Sequence, residues 1–484
     1  MPRLPLRSNL ASDRFEMGFD RVRDELDVPD RFPDAVLEEA RRSALQGPVI
    51  PPGSSSTVRD ATDIDLVSID PAGSSDLDQA YSAKRRGRGY RLWYAIADVA
   101  ALVSPGGEVD AEARRRGTTL YSPDLKTSLH PEVINEGAGS LLAGEIRRAL
   151  LWTFDLDAAG EVETAHLERA DVRNREQLSY RDAQNRVNGA HHDHPLALLR
   201  EIGELRNRLE VARGAVSLQL PSQEVVETEE GRFVLAYEVS FAVENWNAQV
   251  SLLTGMAASR IMIDAGVGLL RTLPPPDQRT VSRLRRTARA LGIDWPDDVG
   301  YAAQVRALEP NTAQSAALLA QSARGLRGAG YVAFRDHVLP VEHEHSAIAS
   351  TYAHVTAPLR RLCDRFANEI VVSACADTDP PEWAMAVLDD LPMIMGRASQ
   401  KDRALERAMV DFMEALVLED QVGERFSGVV TDIDEDRVRI QLRDPAVVTD
   451  IAGADLRLGD VVEVDLTLAD PDSRTVAFEL ANPD

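Results

Sequence analysis

The first part of the chain carries hydrophobic positions at helical spacing. In FPDAVLEEARRSAL, which runs from Phe32 to Leu45, apolar residues recur every three or four positions, and this period is typical of an amphipathic helix. The stretch GPVIPPGSSS then breaks the pattern with proline, glycine and serine, which favour a linker. We therefore expect a helical element over residues 1–48, for which a helix-turn-helix is one interpretation, and a linker over residues 49–60.

The middle of the chain mixes strand and helix patterns with no comparable break. DLVSID is a short strand-like run that ends at Asp70, and YRLWYAIADVAALV is nearly continuous in apolar residues, as in a buried strand. ALLWTFDLDAAGEVETAHLE predicts a hairpin that turns at DAAG. ENWNAQVSLLTGMAASRIMIDAG predicts a core helix that stops at Gly266. These patterns indicate one large mixed α/β domain over residues 61–420.

The last part of the chain alternates apolar and polar residues over short distances. GERFSGVVTDIDEDRVRIQLRD turns at DEDR, and GDVVEVDLTLADPDSRTVAFELA turns at DPDS. Four or five short strands in so few residues predict a small β-barrel over residues 421–484. The expected fold class is therefore α+β, with a helical amino-terminal element, a large mixed domain and a carboxyl-terminal barrel.

The amino-acid composition restricts the class of protein. The chain has 484 residues, of which 44% are hydrophobic and 27% are charged, as in a globular protein with sizeable cores. It has no apolar run of membrane-spanning length and no signal-peptide pattern at its start, so we expect a cytoplasmic protein with no membrane partner. The two cysteines, Cys363 and Cys375, are too few for a disulfide framework.

The formal net charge of −25 argues at first against a nucleic-acid partner, because phosphate contacts depend on lysine and arginine. A cleft can nevertheless carry positive potential inside an acidic protein. Clusters of arginine occur at AKRRGRGYR, ARRRG and PLRRL. The distribution of charge therefore matters more than its sum.

The stretch SIDPAGSSDLDQA brings Asp70, Asp76 and Asp78 together with no lysine or arginine between them. Clustered carboxylates are costly unless they bind cations, and oxygen ligands select Mg²⁺ or Mn²⁺. Such ions can activate water in phosphodiester hydrolysis. A solvated acidic turn and a metal-dependent glycosyltransferase can show the same D-x-D pattern and stay open at this point. A dehalogenase-like phosphatase places D-x-D directly after an apolar strand, and the GSS before Asp76 argues against that class.

Three ordered motifs carry a resemblance to a known family. The spacing I-D-P-x-x-x-x-D-L-D-x-A, followed by YAIADV, resembles the RNB catalytic domain of the ribonuclease II and ribonuclease R family. DAEARRRGTTLYSPDLKTSLHPEVINEGAGSL and YAHVTAPLRRLCD resemble two further blocks of that domain, in the same order. The predicted terminal barrel is similar to the OB-fold RNA-binding module that follows the domain in this family.

The resemblance implies roles for the acidic loop. Asp70, Asp76 and Asp78 would bind Mg²⁺, with Mn²⁺ as a substitute, at the scissile phosphate and would carry out catalysis together with Arg360. The family has a fourth acidic residue directly after D-x-D, and this chain has Gln79 there. An amide oxygen can coordinate a hard cation but adds no charge, so we expect Gln79 to be a weak metal ligand.

The resemblance also implies RNA contacts. Tyr121 falls at an aromatic position that stacks on a base, and Arg360 falls on the first arginine of a pair that contacts phosphate. Arg361 is the second arginine of that pair, and Glu406 matches an acidic position near the leaving nucleotide. His343 and His345, in VEHEH, have no third ligand nearby in the sequence, and a structural role is expected for both.

The resemblance implies a monomeric 3′→5′ exoribonuclease that releases 5′-nucleoside monophosphates from single-stranded RNA, with DNA not a main substrate. The alternative is an RNA-binding protein that kept the scaffold and lost catalysis at Gln79. Leu362, Ala357, Asn368 and Glu369 also depart from the family pattern. The 48 residues at the start leave no room for the cold-shock barrels common in that family.

Overall fold

A computed structural model describes residues 13–55, 57–216, 223–227, 233–237, 241–308, 313–434, 437–442, 447–452 and 456–481. The α-helices, in chain order, are α1 (Asp13–Glu25), α2 (Asp34–Gln46), α3 (Glu108–Arg116), α4 (Tyr180–Gly189), α5 (Pro195–Arg213), α6 (Ala242–Ala265), α7 (Gln278–Ala290), α8 (Tyr301–Ala307), α9 (Ala313–Ser322), α10 (Leu362–Cys375), α11 (Glu382–Met385) and α12 (Leu391–Leu418). The strands are β1 (Val58–Asp60), β2 (Leu66–Asp70), β3 (Gln79–Arg86), β4 (Gly89–Ala97), β5 (Leu120–Tyr121), β6 (Lys126–Thr127), β7 (Ile146–Leu156), β8 (Val162–Ser179), β9 (Gln223–Glu227), β10 (Phe233–Tyr237), β11 (Gly268–Thr272), β12 (Gly330–Phe334), β13 (Arg425–Asp434), β14 (Arg437–Leu442), β15 (Val448–Ala452), β16 (Val461–Asp470) and β17 (Thr475–Leu480).

The largest sheet has the order β1-β8-β2-β3-β4-β7 and curls back on itself, because β8 pairs with β7 as well as with β2. The 18 residues of β8 allow this, since the first part of the strand runs antiparallel to β7 and its end runs parallel to β2. Strand β4 lies between β3 and β7, and its apolar residues are buried except for Trp93, which is partly buried. The curled sheet is therefore a rigid frame for the loop between β2 and β3.

Helices cover this sheet and carry the main core. Helix α6 packs beside α5 and α10, and it ends where Gly266 adopts a φ of 77°, a left-handed conformation that glycine takes without a steric penalty. The principal hydrophobic cluster joins residues of the sheet to α6 and α10, including Trp152, Leu253 and Phe366. This cluster holds the sheet and the helices as one unit.

The last five strands form an antiparallel sheet of order β15-β14-β13-β16-β17. Apolar residues alternate along the strands, and Phe426, Val430, Val464 and Phe478 point into a shared core. The arrangement is consistent with the expected OB-fold. The predicted turn DEDR includes residues 435 and 436, which lie outside the described part of the chain.

Helix α1 connects the start of the chain to this sheet and to α12. Phe412 of α12 makes edge-to-face contacts with Phe15 and Phe19, at ring-centroid distances of 6.4 and 5.5 Å. The expected helical start of the chain is thus present as α1 and α2, apart from residues 1–12, which are not described.

The patterned segments of the middle domain fold as predicted. The run DLVSID contains β2, YRLWYAIA lies in β4, and DAAG is the turn between β7 and β8. The mixed helix-and-sheet fold class is confirmed. In the described part of the chain, no helix combines the length and the apolar character that crossing a bilayer requires.

Candidate active site

The acidic loop joins two strands of the curled sheet. Asp70 is the last residue of β2, and Gln79 is the first residue of β3. The Ser140 hydroxyl accepts a hydrogen bond from the Leu77 amide at 2.9 Å and donates one to the Ser75 carbonyl at 2.7 Å. The Leu77 side chain is fully buried. The loop is therefore held in place by backbone hydrogen bonds to Ser140 and by the packing of Leu77.

Asp70 has the features of a cation ligand. Its Oδ2 atom is buried and has no hydrogen-bond partner, and an orphaned buried oxygen of this kind is costly. Burial, with a smaller contribution from the charge of Asp76, raises the pKa of Asp70 to about 6, against the opposing effect of Arg360. A divalent cation fits this position, because it would supply the missing partner for the carboxylate oxygen.

Asp76 lies beside a lysine that the sequence analysis did not single out. Lys126 Nζ lies 3.0 Å from Asp76 Oδ1 and 2.7 Å from Glu136 Oε1. Burial lowers the pKa of Lys126, but its hydrogen bonds to Glu136 and Asp76 outweigh that effect and raise the pKa above its usual value. Ser75 donates a short hydrogen bond to the other oxygen of Glu136. A fixed positive charge therefore lies beside the acidic loop.

Asp78 is the most deeply buried of the three aspartates, with 5% of its surface exposed. Its Oδ1 accepts a hydrogen bond from the Leu359 amide at 2.8 Å, and its Oδ2 lies 3.5 Å from Arg360 Nε. Burial raises the pKa of Asp78 to about 7, against the opposing effects of Arg360 and the Leu359 amide. Asp78 thus ties the acidic loop to the segment that carries Arg360.

Gln79 is held at both ends of its amide. Its Nε2 donates a 2.6 Å hydrogen bond to the Thr356 carbonyl, which fixes the orientation of the amide because a carbonyl can only accept. Its Oε1 accepts a short hydrogen bond from the Tyr94 hydroxyl, and the Ser251 hydroxyl lies 3.4 Å away. In this arrangement, Gln79 connects β3 to β4, to α6 and to the segment before α10.

The three aspartates converge without forming a compact ligand cluster. Within the described ranges, Asp70, Asp76 and Asp78 do not bring three carboxylate oxygens within 4.8 Å of one another. Lys126 holds Asp76, while Leu359 and Arg360 hold Asp78. Direct repulsion between the carboxylates is reduced by this spacing, and Asp70 is left with the open oxygen.

A cavity of about 470 Å³ is lined in part by Arg360, which contacts Asp78 of the acidic loop. It brings together the four residues predicted to contact RNA. Its walls are formed by Thr118, Thr119, Tyr121, Ser122, Pro123, Arg271, Tyr331, His354, Arg360, Arg361, Met395, Ser399, Asp402, Arg403, Glu406, Met409 and Val410. Aromatic rings and guanidinium groups in one cavity can bind the bases and phosphates of a nucleotide.

The two neighbouring arginines have different surroundings. Asp364 binds Arg361 through two nitrogens, at 3.0 and 2.8 Å, and it also accepts a hydrogen bond from the Ala357 amide at 2.7 Å. The Arg360 side chain is 36% exposed, and its Nε is 3.5 Å from Asp78. Of the pair, Arg360 is the better placed to reach a ligand.

The cavity contains functional candidates that sequence reasoning missed. The Arg271 guanidinium lies 4.6 Å from the centre of the Tyr331 ring, and the Tyr331 hydroxyl is 2.8 Å from His354 Nδ1. Burial and the charges of Arg361, Arg271 and Arg360 lower the pKa of His354 well below its usual value. Arg271 and Tyr331 come from the paired strands β11 and β12, and only that pairing brings them to the site.

The histidines of VEHEH lie elsewhere. His343 Nδ1 is 2.9 Å from the Pro340 carbonyl oxygen, and the backbone of His345 pairs with Ser350. Neither belongs to a three-residue group with ligand spacing in the described part of the chain. A structural role remains the prediction for both.

These features define a mixed α/β protein with an acidic loop beside a cavity rich in arginine and tyrosine. Residues 58–376 match the model of the RNB domain, and residues 424–481 match that of the RNase II-type exonuclease C-terminal S1 domain. The chain belongs to the RNB-domain family, as the motifs predicted.

Individual relatives are distant in sequence. Ribonuclease R of Escherichia coli is 24% identical over 479 residues, which cover 87% of this chain and 57% of the relative. The chain thus spans a little over half the length of that protein. A structure of Mycoplasma genitalium RNase R in complex with ribose-methylated single-stranded RNA superposes with a TM-score of 0.85 at 20% identity, covering 97% of this chain and 78% of the other. Yeast Ssd1, a pseudonuclease, superposes with a TM-score of 0.71 at 14% identity, covering 96% and 58%.

Proposed function

We propose that the protein is a hydrolytic exoribonuclease that degrades single-stranded RNA from the 3′ end and releases 5′-nucleoside monophosphates. The observation that carries the proposal is the orphaned, buried Oδ2 of Asp70, whose carboxylate feels the charge of Arg360, a residue of the arginine- and tyrosine-lined cavity. The similarity to Ribonuclease R supports RNA as the substrate. We propose a monomer that acts in the cytoplasm with Mg²⁺, or Mn²⁺ as a substitute.

Each residue has a proposed task. Asp70 and Asp76 hold the divalent cation, and Asp78 keeps Arg360 next to it. A divalent cation at this position supplies Lewis-acid stabilisation of charge on the scissile phosphate. The Arg360 guanidinium stabilises the negative charge that develops during cleavage. Gln79 keeps the loop in register through Thr356 and Tyr94.

The cavity residues position the RNA terminus. Tyr121 stacks on a base near the 3′ end, a contact that tolerates any sequence because every base has a π-face. Arg361, bound to Asp364, supports the conformation in which Arg360 reaches phosphate. Glu406 lies on α12, on the wall of the same cavity, and directs the leaving nucleotide.

Digestion of a 5′-labelled RNA strand tests the proposal. With Mg²⁺ or Mn²⁺, the wild-type protein should shorten the strand progressively from its 3′ end, while EDTA should stop the reaction. Asp78→Asn should lower the rate at least about 100-fold, because it removes the carboxylate that holds Arg360. A DNA strand of the same sequence should be degraded far more slowly.

A non-catalytic RNA-binding protein is the second candidate, and two observations favour it. Both ends of the Gln79 amide are occupied, and Lys126 already neutralises Asp76. This candidate predicts RNA binding without nucleotide release in either metal ion. The digestion assay therefore separates the two candidates directly.

A further inference from the structure

The contacts of Lys126 raise the question of how many metal ions the acidic loop can take. Lys126 Nζ contacts carboxylates from two different elements, Asp76 of the loop and Glu136 of the irregular helical turn over residues 133–138. Its side chain is only 23% exposed. This is a largely buried, two-carboxylate contact, unlike the lone exposed ion pairs that contribute little.

Formal charges around the loop support a single divalent ion. The carboxylates of Asp70, Asp76, Asp78 and Glu136 bring four negative charges, and Lys126 and Arg360 bring two positive ones. The remaining charge of −2 is balanced by one divalent cation. A second divalent ion would leave an excess of positive charge in a partly buried site, which is unfavourable.

The fourth ligand position also argues against a second ion. Gln79 brings no charge, and its Oε1 accepts from Tyr94 while its Nε2 is committed to Thr356. A second ion near Asp78 would displace the Leu359 amide or compete with Arg360. The open carboxylate oxygen is on Asp70, next to Asp76.

We infer that the acidic loop binds one divalent cation, at Asp70 and Asp76, and that the Lys126 ammonium supplies the positive charge that a second cation would otherwise bring. The inference rests on the proposed function, because a role for this cation in RNA cleavage requires that the protein cleave RNA. Lys126 is a positioning residue here, since it acts through Asp76 and Glu136. The Lys126 ammonium lies 3.0 Å from Asp76 Oδ1 and so fixes the carboxylate beside Asp70.

Titration calorimetry of Mn²⁺ into the metal-free, RNA-free protein tests the inference. Wild type should bind one Mn²⁺ ion per chain. Lys126→Met should bind its first Mn²⁺ about tenfold or more tightly, because removal of a cation about 3 Å from a carboxylate strengthens the attraction for another cation. Lys126→Arg keeps the charge and should stay within about threefold of wild type.

Lys84→Met is the matched control, because Lys84 is an exposed lysine that lies over the Trp93 ring at 4.9 Å, and it should bind Mn²⁺ as wild type does. Two Mn²⁺ ions bound to wild type with similar affinity would overturn the inference. An unchanged Mn²⁺ affinity in a folded Lys126→Met variant would overturn it as well. The number of Mn²⁺ ions bound to wild type tests the single-ion inference even when the Lys126→Met variant does not fold.

These outcomes are separable from the failure of the proposed function. A wild-type protein that degrades RNA but binds two Mn²⁺ ions would keep the function and remove the inference. A protein that binds one Mn²⁺ ion and releases no nucleotide would keep the role of Lys126 and remove the exoribonuclease proposal.

Discussion

Gln79→Glu replaces an amide with a carboxyl group of the same shape, and it tests whether Gln79 is a structural link. In the wild type, Nε2 donates to the Thr356 carbonyl at 2.6 Å. The ionised carboxylate of the variant has no proton to donate, so two oxygens would face each other in a buried place. Thr356 is only 4% exposed, and water therefore gives little relief.

The expected cost follows from the lost contact. A buried acceptor left without a donor costs about 1–3 kcal/mol, and more where a charged group is involved. We therefore expect Gln79→Glu to lower the free energy of unfolding by about 2–4 kcal/mol at pH 8. The protonated carboxyl group of the variant can donate to Thr356 as the wild-type amide does, so the variant should hold its proton more tightly when folded.

The pH dependence has a definite sign. The pKa of an unfolded glutamate is about 4.3, and a cost of about 2–4 kcal/mol corresponds to a folded-state pKa of about 6–7. An acid with a raised folded-state pKa loses stability as the pH rises from the unfolded value to the folded one. The variant should thus be less stable than wild type by at most about 1.6 kcal/mol at pH 5.5, and by the full cost of about 2–4 kcal/mol at pH 8.

Urea unfolding followed by circular dichroism in EDTA measures this difference. Both pH values lie above the isoelectric point of about 4.8, which keeps the protein negatively charged. Gln400→Glu, at an exposed position of α12, is the control and should change stability by less than about 0.5 kcal/mol. Equal stability of Gln79→Glu and wild type at pH 8 would refute the structural role of Gln79.

Three further predictions concern the cavity and the amino-terminal helix. Arg360→Ala should lower the single-turnover cleavage rate about 100- to 1000-fold with an unchanged circular dichroism spectrum, because it removes a preorganised donor at the phosphate; a rate within about threefold of wild type would contradict this role. Tyr121→Ala should weaken binding of single-stranded RNA by about 1–3 kcal/mol in fluorescence anisotropy, while Tyr121→Phe keeps the stacking ring and should bind as wild type does. Phe412→Ala should lower the free energy of unfolding by about 3–5 kcal/mol in urea, because Phe412 of α12 packs against Phe15 and Phe19 of α1. A loss below about 1 kcal/mol would mean that the packing of α1 contributes little to stability.

Four segments of the middle domain were predictable from their hydrophobic pattern: β2, β4, the hairpin of β7 and β8, and α6. The position of the acidic loop between two buried strands was also predictable, since Asp70 ends the run DLVSID. The family resemblance then implied that Tyr121, Arg360 and Glu406 contact RNA, and the structure brings all three to one cavity. Short-range pattern and motif order therefore identified the acidic loop and its neighbours.

The cations around the aspartates could not be predicted in the same way. The loop sequence holds no lysine or arginine, yet Lys126 and Arg360 contact Asp76 and Asp78 across long separations in the chain. Lys126 reaches the loop from the short hairpin of β5 and β6, whose pairing places Lys126 opposite Tyr121. Two-residue strands leave no periodic signal, so this contact follows only from the tertiary fold.

Two departures from the family motif are explained by the core. Asn368 donates to the Val355 carbonyl at 2.8 Å, and the Glu369 carboxylate pairs with the fully buried Arg169. Arg169 also binds Asp98, at 2.9 Å. Such buried charges need partners on every side, so these residues serve the packed interior behind the site.

The net charge of −25 and the proposed RNA substrate are compatible, because many arginines pair with carboxylates away from the cavity while other arginines line the cavity wall. Arg91 binds Asp155, Arg114 binds Asp110, and Arg365 binds Asp110 as well. Each of these pairs cancels the positive charge of its arginine, so a distant phosphate experiences little attraction to it. None of the three arginines lines the cavity of Arg360. In the proposed function, attraction for RNA comes from the cations in the cavity wall, chiefly Arg360 and Arg271. The negative outer surface would repel an RNA strand, and favourable phosphate contacts would form only when the strand enters the cavity. Because a strand end can enter a cavity more easily than an internal segment, this arrangement favours binding of an RNA terminus.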